Sequence, residues 1–116
     1  MVKVTLVLAF GPGHPDGDLS DRIIMRVTLS PQGQLDVTAW ENGSVPWLTS
    51  RERAGHPVRS GEIVKIDDGW ALRSLGNEDE PLYSVTAQVL RPGEIMRVSR
   101  LDGDEMLYRI VAVEPD

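Results

Sequence analysis

The chain contains no cysteine, which removes disulfides, thiolate metal sites and cysteine nucleophiles together. Its two histidines, His14 and His56, are too few for a zinc site built on three or four nitrogen or sulfur ligands. No metal site and no cofactor is expected. Aromatic residues are scarce as well, with one Phe, two Tyr and three Trp, so aliphatic side chains must do most of the packing. No run approaches the ~20 apolar residues of a membrane-spanning helix. The N-terminal VKVTLVLAF lacks the basic flank and small-residue cleavage site of a secretory signal, and a cytoplasmic location with no membrane partner is expected. A surplus of positive charge is also missing. Twelve Lys and Arg against 18 Asp and Glu leave a net charge of −6, the wrong sign for attraction to a phosphate backbone. Nucleic acid is therefore not an expected partner.

Catalytic signatures are missing too. There is no G-x-S-x-G turn for a serine nucleophile, and Gly11-Pro12-Gly13 matches neither a dinucleotide fingerprint nor a P-loop. The acids Asp67 and Asp68, like Glu78, Asp79 and Glu80, fall at turns, where adjacent acids keep the surface wet, whereas acid–base catalysis needs a carboxyl desolvated in a cleft. No catalytic residue is assigned. The stretch holding His14, Asp16, Asp18 and Asp21 has the alternating carboxylates of a calcium loop. Counted from Asp16, however, the fifth position is Ser20, the sixth is Asp21 and the twelfth is Val27, which is not an EF-hand. It reads as a solvated loop over GPGHPDGDLSD.

What the chain does have is alternation. At 41% hydrophobic and 26% charged it has the make-up of an ordinary globular protein, and its apolar residues recur with a period of two. Val2, Val4, Leu6, Leu8 and Phe10 form one face of a first strand. Ile23, Met25, Val27 and Leu29 form a second, with β-branched residues favouring strand over a helix capped by Ser20. Leu35, Val37 and Ala39 suggest a third, with Asn42-Gly43 turning it into a hairpin. The return strand, Ser44 to Leu48, carries Pro46, which confines it to an edge or to irregular extended chain. The polar stretch from Thr49 to Ser60 has room for one short helical turn. Glu62 to Ile66 and Trp70 to Leu75 pair through Asp67-Asp68-Gly69. The acidic turn 76–81 then leads into Leu82–Val113, read as three strands broken at Pro92-Gly93 and Asp102-Gly103. With no repeat or linker, residues 1–116 read as a single all-β domain. Its form is an antiparallel β-sandwich or open β-barrel of about eight or nine short strands.

The candidate site residues lie in the least regular segments. Arg51, Arg53 and Arg59, with His56 between them, form a local positive cluster in an acidic chain, and guanidinium forks grip carboxylates or phosphates. Trp47, beside Pro46, is the tryptophan with the best case for partial exposure, and Trp is enriched at binding hot spots. If two of Trp40, Trp47 and Trp70 converge, they line a pocket. A site is expected in the loop 11–21 and the segment 47–59, with the C-terminal strands as rigid support. The function expected is a non-enzymatic binding or accessory module, its partner another protein or a small ligand.

From Ser50 onward the chain also resembles the second half of forkhead-associated domains. The similarity rests on Ser50-Arg51 followed by Ala54, on GWALRSLGN at 69–77, and on LRPGEIMRV at 90–98. Arg53 stands where that family has His, and the Asn-Gly pair expected after Asn77 is missing. The resemblance implies a β-sandwich that recognises phosphothreonine peptides.

Overall fold

A computed structural model of the chain describes residues 1–74, 83–100 and 103–116. The acidic turn 76–81, the acids Glu78, Asp79 and Glu80 within it, Leu75, Leu82 and the Asp102 half of the last turn lie outside the described residues. Eight strands follow one another in chain order. They are β1 (Val2–Phe10), β2 (Asp18–Val27), β3 (Trp47–Glu52), β4 (Arg59–Ile66), β5 (Gly69–Ser74), β6 (Tyr83–Thr86), β7 (Ile95–Arg100) and β8 (Glu105–Pro115). Each pairs antiparallel with the next, and β1 pairs with β8. The sheet is a closed barrel, so of the architectures left open by the sequence the chain takes the barrel, and shuts it. A sandwich of two facing sheets, as the forkhead-associated resemblance implies, is not what forms.

The period-two pattern explains the interior. Val4, Leu6, Leu8, Ile23, Met25, Val27, Ile63, Val85, Met96, Val98, Met106, Tyr108 and Ile110 are all buried in one cluster, each on the inward-facing parity of its strand. Asp67-Asp68 makes the tight link between β4 and β5, with Ile66 opposite Gly69. Gly93 and Gly103, at the two C-terminal breaks, have positive φ, at 95° and 103°.

Three expectations fail, two of them between β2 and β3. Leu35 to Trp40 is not a strand. Asp36 accepts a hydrogen bond from the Ala39 N–H at 3.0 Å and caps a short helix, α1 (Val37–Asn42). A local cap outweighs a short apolar alternation with no neighbouring strand to pair. Asn42-Gly43 therefore ends a helix instead of turning a hairpin, and Gly43 is extended at φ −77°. The helical turn sought within Thr49 to Ser60 is likewise absent, that segment being the end of β3, a turn and the start of β4.

The helix helps to close one end of the barrel. Trp40 donates from Nε1 to the Ile63 carbonyl at 3.2 Å and meets Trp70 edge-on at 5.9 Å. Trp70 stacks on Trp47 at 5.5 Å with the rings 12° apart. Beneath them, the Leu90 N–H donates to the Gly33 carbonyl at 2.7 Å, tying the chain after β6 to the chain after β2. Trp47 is thus 3% exposed, not the partly open edge residue expected. Its own strand is interior to the sheet, paired on both sides.

Candidate functional site

The barrel's other end is where β1, β3, β5 and β7 finish and β2, β4, β6 and β8 begin. Alternation carries inward positions outward toward this end as a series of levels. On β3 they run Trp47, Thr49, Arg51, and opposite them on β4 stand Ile63, Gly61, Arg59. Apolar residues fill the first level, small residues the second and arginines the third. Ser74 of β5 sits opposite Gly61, so Thr49, Gly61 and Ser74 make one thinly furnished row. A Cβ on Gly61 would lie 2.6 Å from the Arg73 carbonyl oxygen and 3.1 Å from the Thr49 hydroxyl, so glycine is required there.

Below the rim a buried ion pair spans β2 and β3. Asp21 is 3% exposed. Arg51 reaches it through two hydrogen bonds, Nε to Oδ1 at 3.1 Å and a terminal nitrogen to Oδ2 at 2.9 Å. The Tyr108 hydroxyl, from β8, donates to Oδ1 at 2.9 Å. Both carboxylate oxygens are therefore held by donors, the arrangement that makes a buried charge tolerable. Burial alone would pull the Arg51 guanidinium down. The hydrogen bond to Asp21 and the pull of the nearby acidic groups outweigh it, and the pKa is held above the ordinary value. Burial pushes the Tyr108 phenol well above its ordinary range, because the anion would be desolvated beside a carboxylate.

That shift has a testable sign. Unfolded, Tyr108 loses its proton near the usual value of about 10, whereas folded it keeps it. Its contribution to stability is complete below that pH and is lost as pH rises through the higher folded value. Urea unfolding between about pH 8 and about pH 11 should therefore show stability falling more steeply in the wild type than in Tyr108→Phe. Parallel curves would remove the argument.

Around this pair opens a concave mouth of ≈ 580 Å³, within the size range of small-molecule sites. Arg51, Arg53, His56 and Arg59 all line it, together with Gly11, His14, Asp18 and Asp21 from the 11–21 stretch. The structure thus brings together four of the five sequence candidates and both segments in which a site was expected. Trp47, the fifth, lies at the plugged end. Tyr83 and Arg100 add to the mouth, the guanidinium 5.6 Å from the ring centre. Arg53 pairs with no carboxylate among the described residues.

The expected loop 11–21 is shorter than the sequence suggested. Gly11 and His14 exchange backbone hydrogen bonds at 3.1 and 2.9 Å, and β2 already begins at Asp18. Pairing with β1 jumps from Arg22 to Asp18, so Leu19 to Asp21 form a bulge. Asp18 accepts from the Ser20 hydroxyl at 2.7 Å and from its N–H at 2.9 Å. Those bonds hold its carboxyl below the usual range. Of the acids with calcium-like spacing, Asp18 and Asp21 thus belong to a bulged strand and have protein donors.

Asp21 and Tyr108 went unassigned as partners of Arg51, although a signal for each was present. Asp21 has the parity of Ile23, Met25 and Val27, and Tyr108 that of Met106 and Ile110. A carboxylate on a buried face demands a cation.

What fold and site define is a closed, eight-stranded antiparallel barrel, plugged by tryptophans at one end and open at a cationic mouth. No protein-family model, curated protein or solved structure matches the chain. Among the described residues no helix is long and apolar enough to cross a membrane.

Proposed function

We propose that the protein is a non-enzymatic binding module that takes a small organic anion in the open mouth of the barrel. The observation that carries this reading is the convergence of Arg51, Arg53, His56 and Arg59 on one concavity in a chain of net charge −6. An acidic protein concentrating guanidinium groups in a cleft creates a local potential opposite to its overall one. Arg51, locked to Asp21, supplies a fixed wall, and Arg53 and Arg59 supply the forks that meet the ligand. A binding role fits better than catalysis, because Asp21 has both oxygens engaged and is not placed to accept a proton. The three tryptophans gather at the far end, so the pocket of this reading is lined by arginine and tyrosine, not by tryptophan. The cytoplasmic placement expected from the sequence goes with it.

A titration followed by backbone and arginine side-chain NMR signals tests the reading. Acetate, succinate, inorganic phosphate and glycerol phosphate form the panel, with chloride as the ionic-strength control. Saturable shifts are expected at Arg53, His56, Arg59 and Tyr83, with the Trp40, Trp47 and Trp70 indoles unmoved. Arg53→Ala should weaken binding by about tenfold, the worth of one charge-assisted hydrogen bond of about 1.4 kcal/mol. Silence across the whole panel would overturn the proposal.

A protein partner is the second reading, favoured by Leu19 and Val58. These are 80% and 60% exposed and neighbour the mouth residues Asp18 and Arg59 in sequence. On this reading an acidic side chain of the partner enters the mouth. Leu19→Glu with Val58→Glu would then abolish capture of the partner and leave binding of small anions intact.

A further inference from the structure

Behind the mouth lies a second, narrower cavity of ≈ 80 Å³. It exists because of the small-residue row. With Thr49, Gly61 and Ser74 on one side, nothing large crosses the barrel to meet Ile23, Leu72, Val98 and Met106 on the other. Arg51, Arg59, Tyr83 and Met106 border both cavities, so the chamber communicates with the mouth, and Ser50, Ser60 and Arg73 add polar groups to its lining. Leu72, which lines it, pairs across the sheet with the buried Ile63.

We infer that the ligand is a short, unbranched aliphatic carboxylate, its head on Arg53 and Arg59 and its chain in this chamber. The inference rests on the proposed anion-binding reading and narrows it to one chemical class. Three observations select that class. With Ile23, Leu72, Val98 and Met106 in its lining the chamber presents more apolar than polar surface, so a hydrocarbon loses less there than a polyol or a sugar. Its volume admits a chain of a few carbons and excludes a ring system, and the way in passes the Tyr83 ring and the thioether of Met106, a side chain that adapts to a thin occupant. The mouth, finally, holds the carboxylates of Asp18, Asp21 and Asp104 beside its arginines. A monoanion suits that mixture, whereas a phosphate dianion meets more repulsion.

The experiment is a calorimetric and NMR titration of the full chain with acetate, butyrate, hexanoate and octanoate, with hexanol as the chain without a head. Affinity should rise about fourfold for each methylene that enters the chamber, then level off once it is full. Hexanol should bind at least tenfold more weakly than hexanoate. Thr49→Ile, which adds bulk to the row opposite Ile23, should end the rise at a shorter chain. A wild-type circular dichroism spectrum and cooperative urea unfolding show that the variant is folded. Equal affinities from acetate to octanoate would overturn the chamber while leaving the mouth as the anion site. An unaltered series in Thr49→Ile would also overturn it. No binding of any carboxylate would overturn both readings.

Discussion

Trp47→Ala should lower the unfolding free energy by about 4 kcal/mol, the upper range for truncating a buried aromatic. The residue is almost fully enclosed and forms one side of a stack with Trp70. Trp70 in turn supports Trp40, and through it the helix α1. Removing the indole leaves a void that the close-packed neighbours fill only in part. The expected readout is a lower midpoint in urea with an unchanged slope, plus increased solvent accessibility of the remaining indole fluorescence. Because the plug and the mouth are at opposite ends, anion binding by the still-folded fraction should not change. A cost under about 1 kcal/mol would show that the tryptophans decorate the barrel's end without closing it.

Asp21→Ala should cost about 3 kcal/mol, chiefly because it strands Arg51. The Arg51 side chain is only 23% exposed, and among the described residues its other hydrogen-bond acceptor is the weakly accepting sulfur of Met106 at 3.8 Å. Tyr108 loses its acceptor in the same step. The double change Asp21→Leu with Arg51→Met should cost clearly less than Asp21→Ala alone, since it removes both charges and keeps the volume. The comparison separates a charge penalty from a packing loss. If the double variant is the less stable of the two, the ion pair is contributing net stability and the penalty argument fails.

The parts of this molecule that were legible in the sequence are those governed by nearest neighbours. Ile23, Met25 and Val27 show their inward face by parity alone, and Asp67-Asp68-Gly69 can do little but turn. Closure was not legible. Nothing in VKVTLVLAF announces that its second edge belongs to residues a hundred positions later, because backbone pairing carries no residue code beyond alternation. The helix at Val37–Asn42 was obscured for a different reason. Over six residues a strand and a helical turn share the same apolar count, and Asp36 decides between them by a hydrogen bond. The site was half legible. The arginine cluster stood out by charge, whereas its anchor lay thirty residues upstream in what looked like a polar loop. Only the barrel's curvature brings Asp21, Arg51 and Tyr108 to one point.

The seam between β1 and β8 bears on how the chain reaches this state. Every other pairing joins strands that are consecutive in the chain, but the seam must bring Val2 opposite Pro115 and Leu6 opposite Ile110. Long-range pairing of this kind slows folding. During synthesis β1 emerges first and then waits, one ladder of N–H and C=O groups unpaired, until the last strand has been made. The finished barrel has no edge to offer another chain, but its precursor has two. The hazard of self-association therefore belongs to the interval before the ring shuts, and a variant that slows closure would aggregate without being less stable once folded.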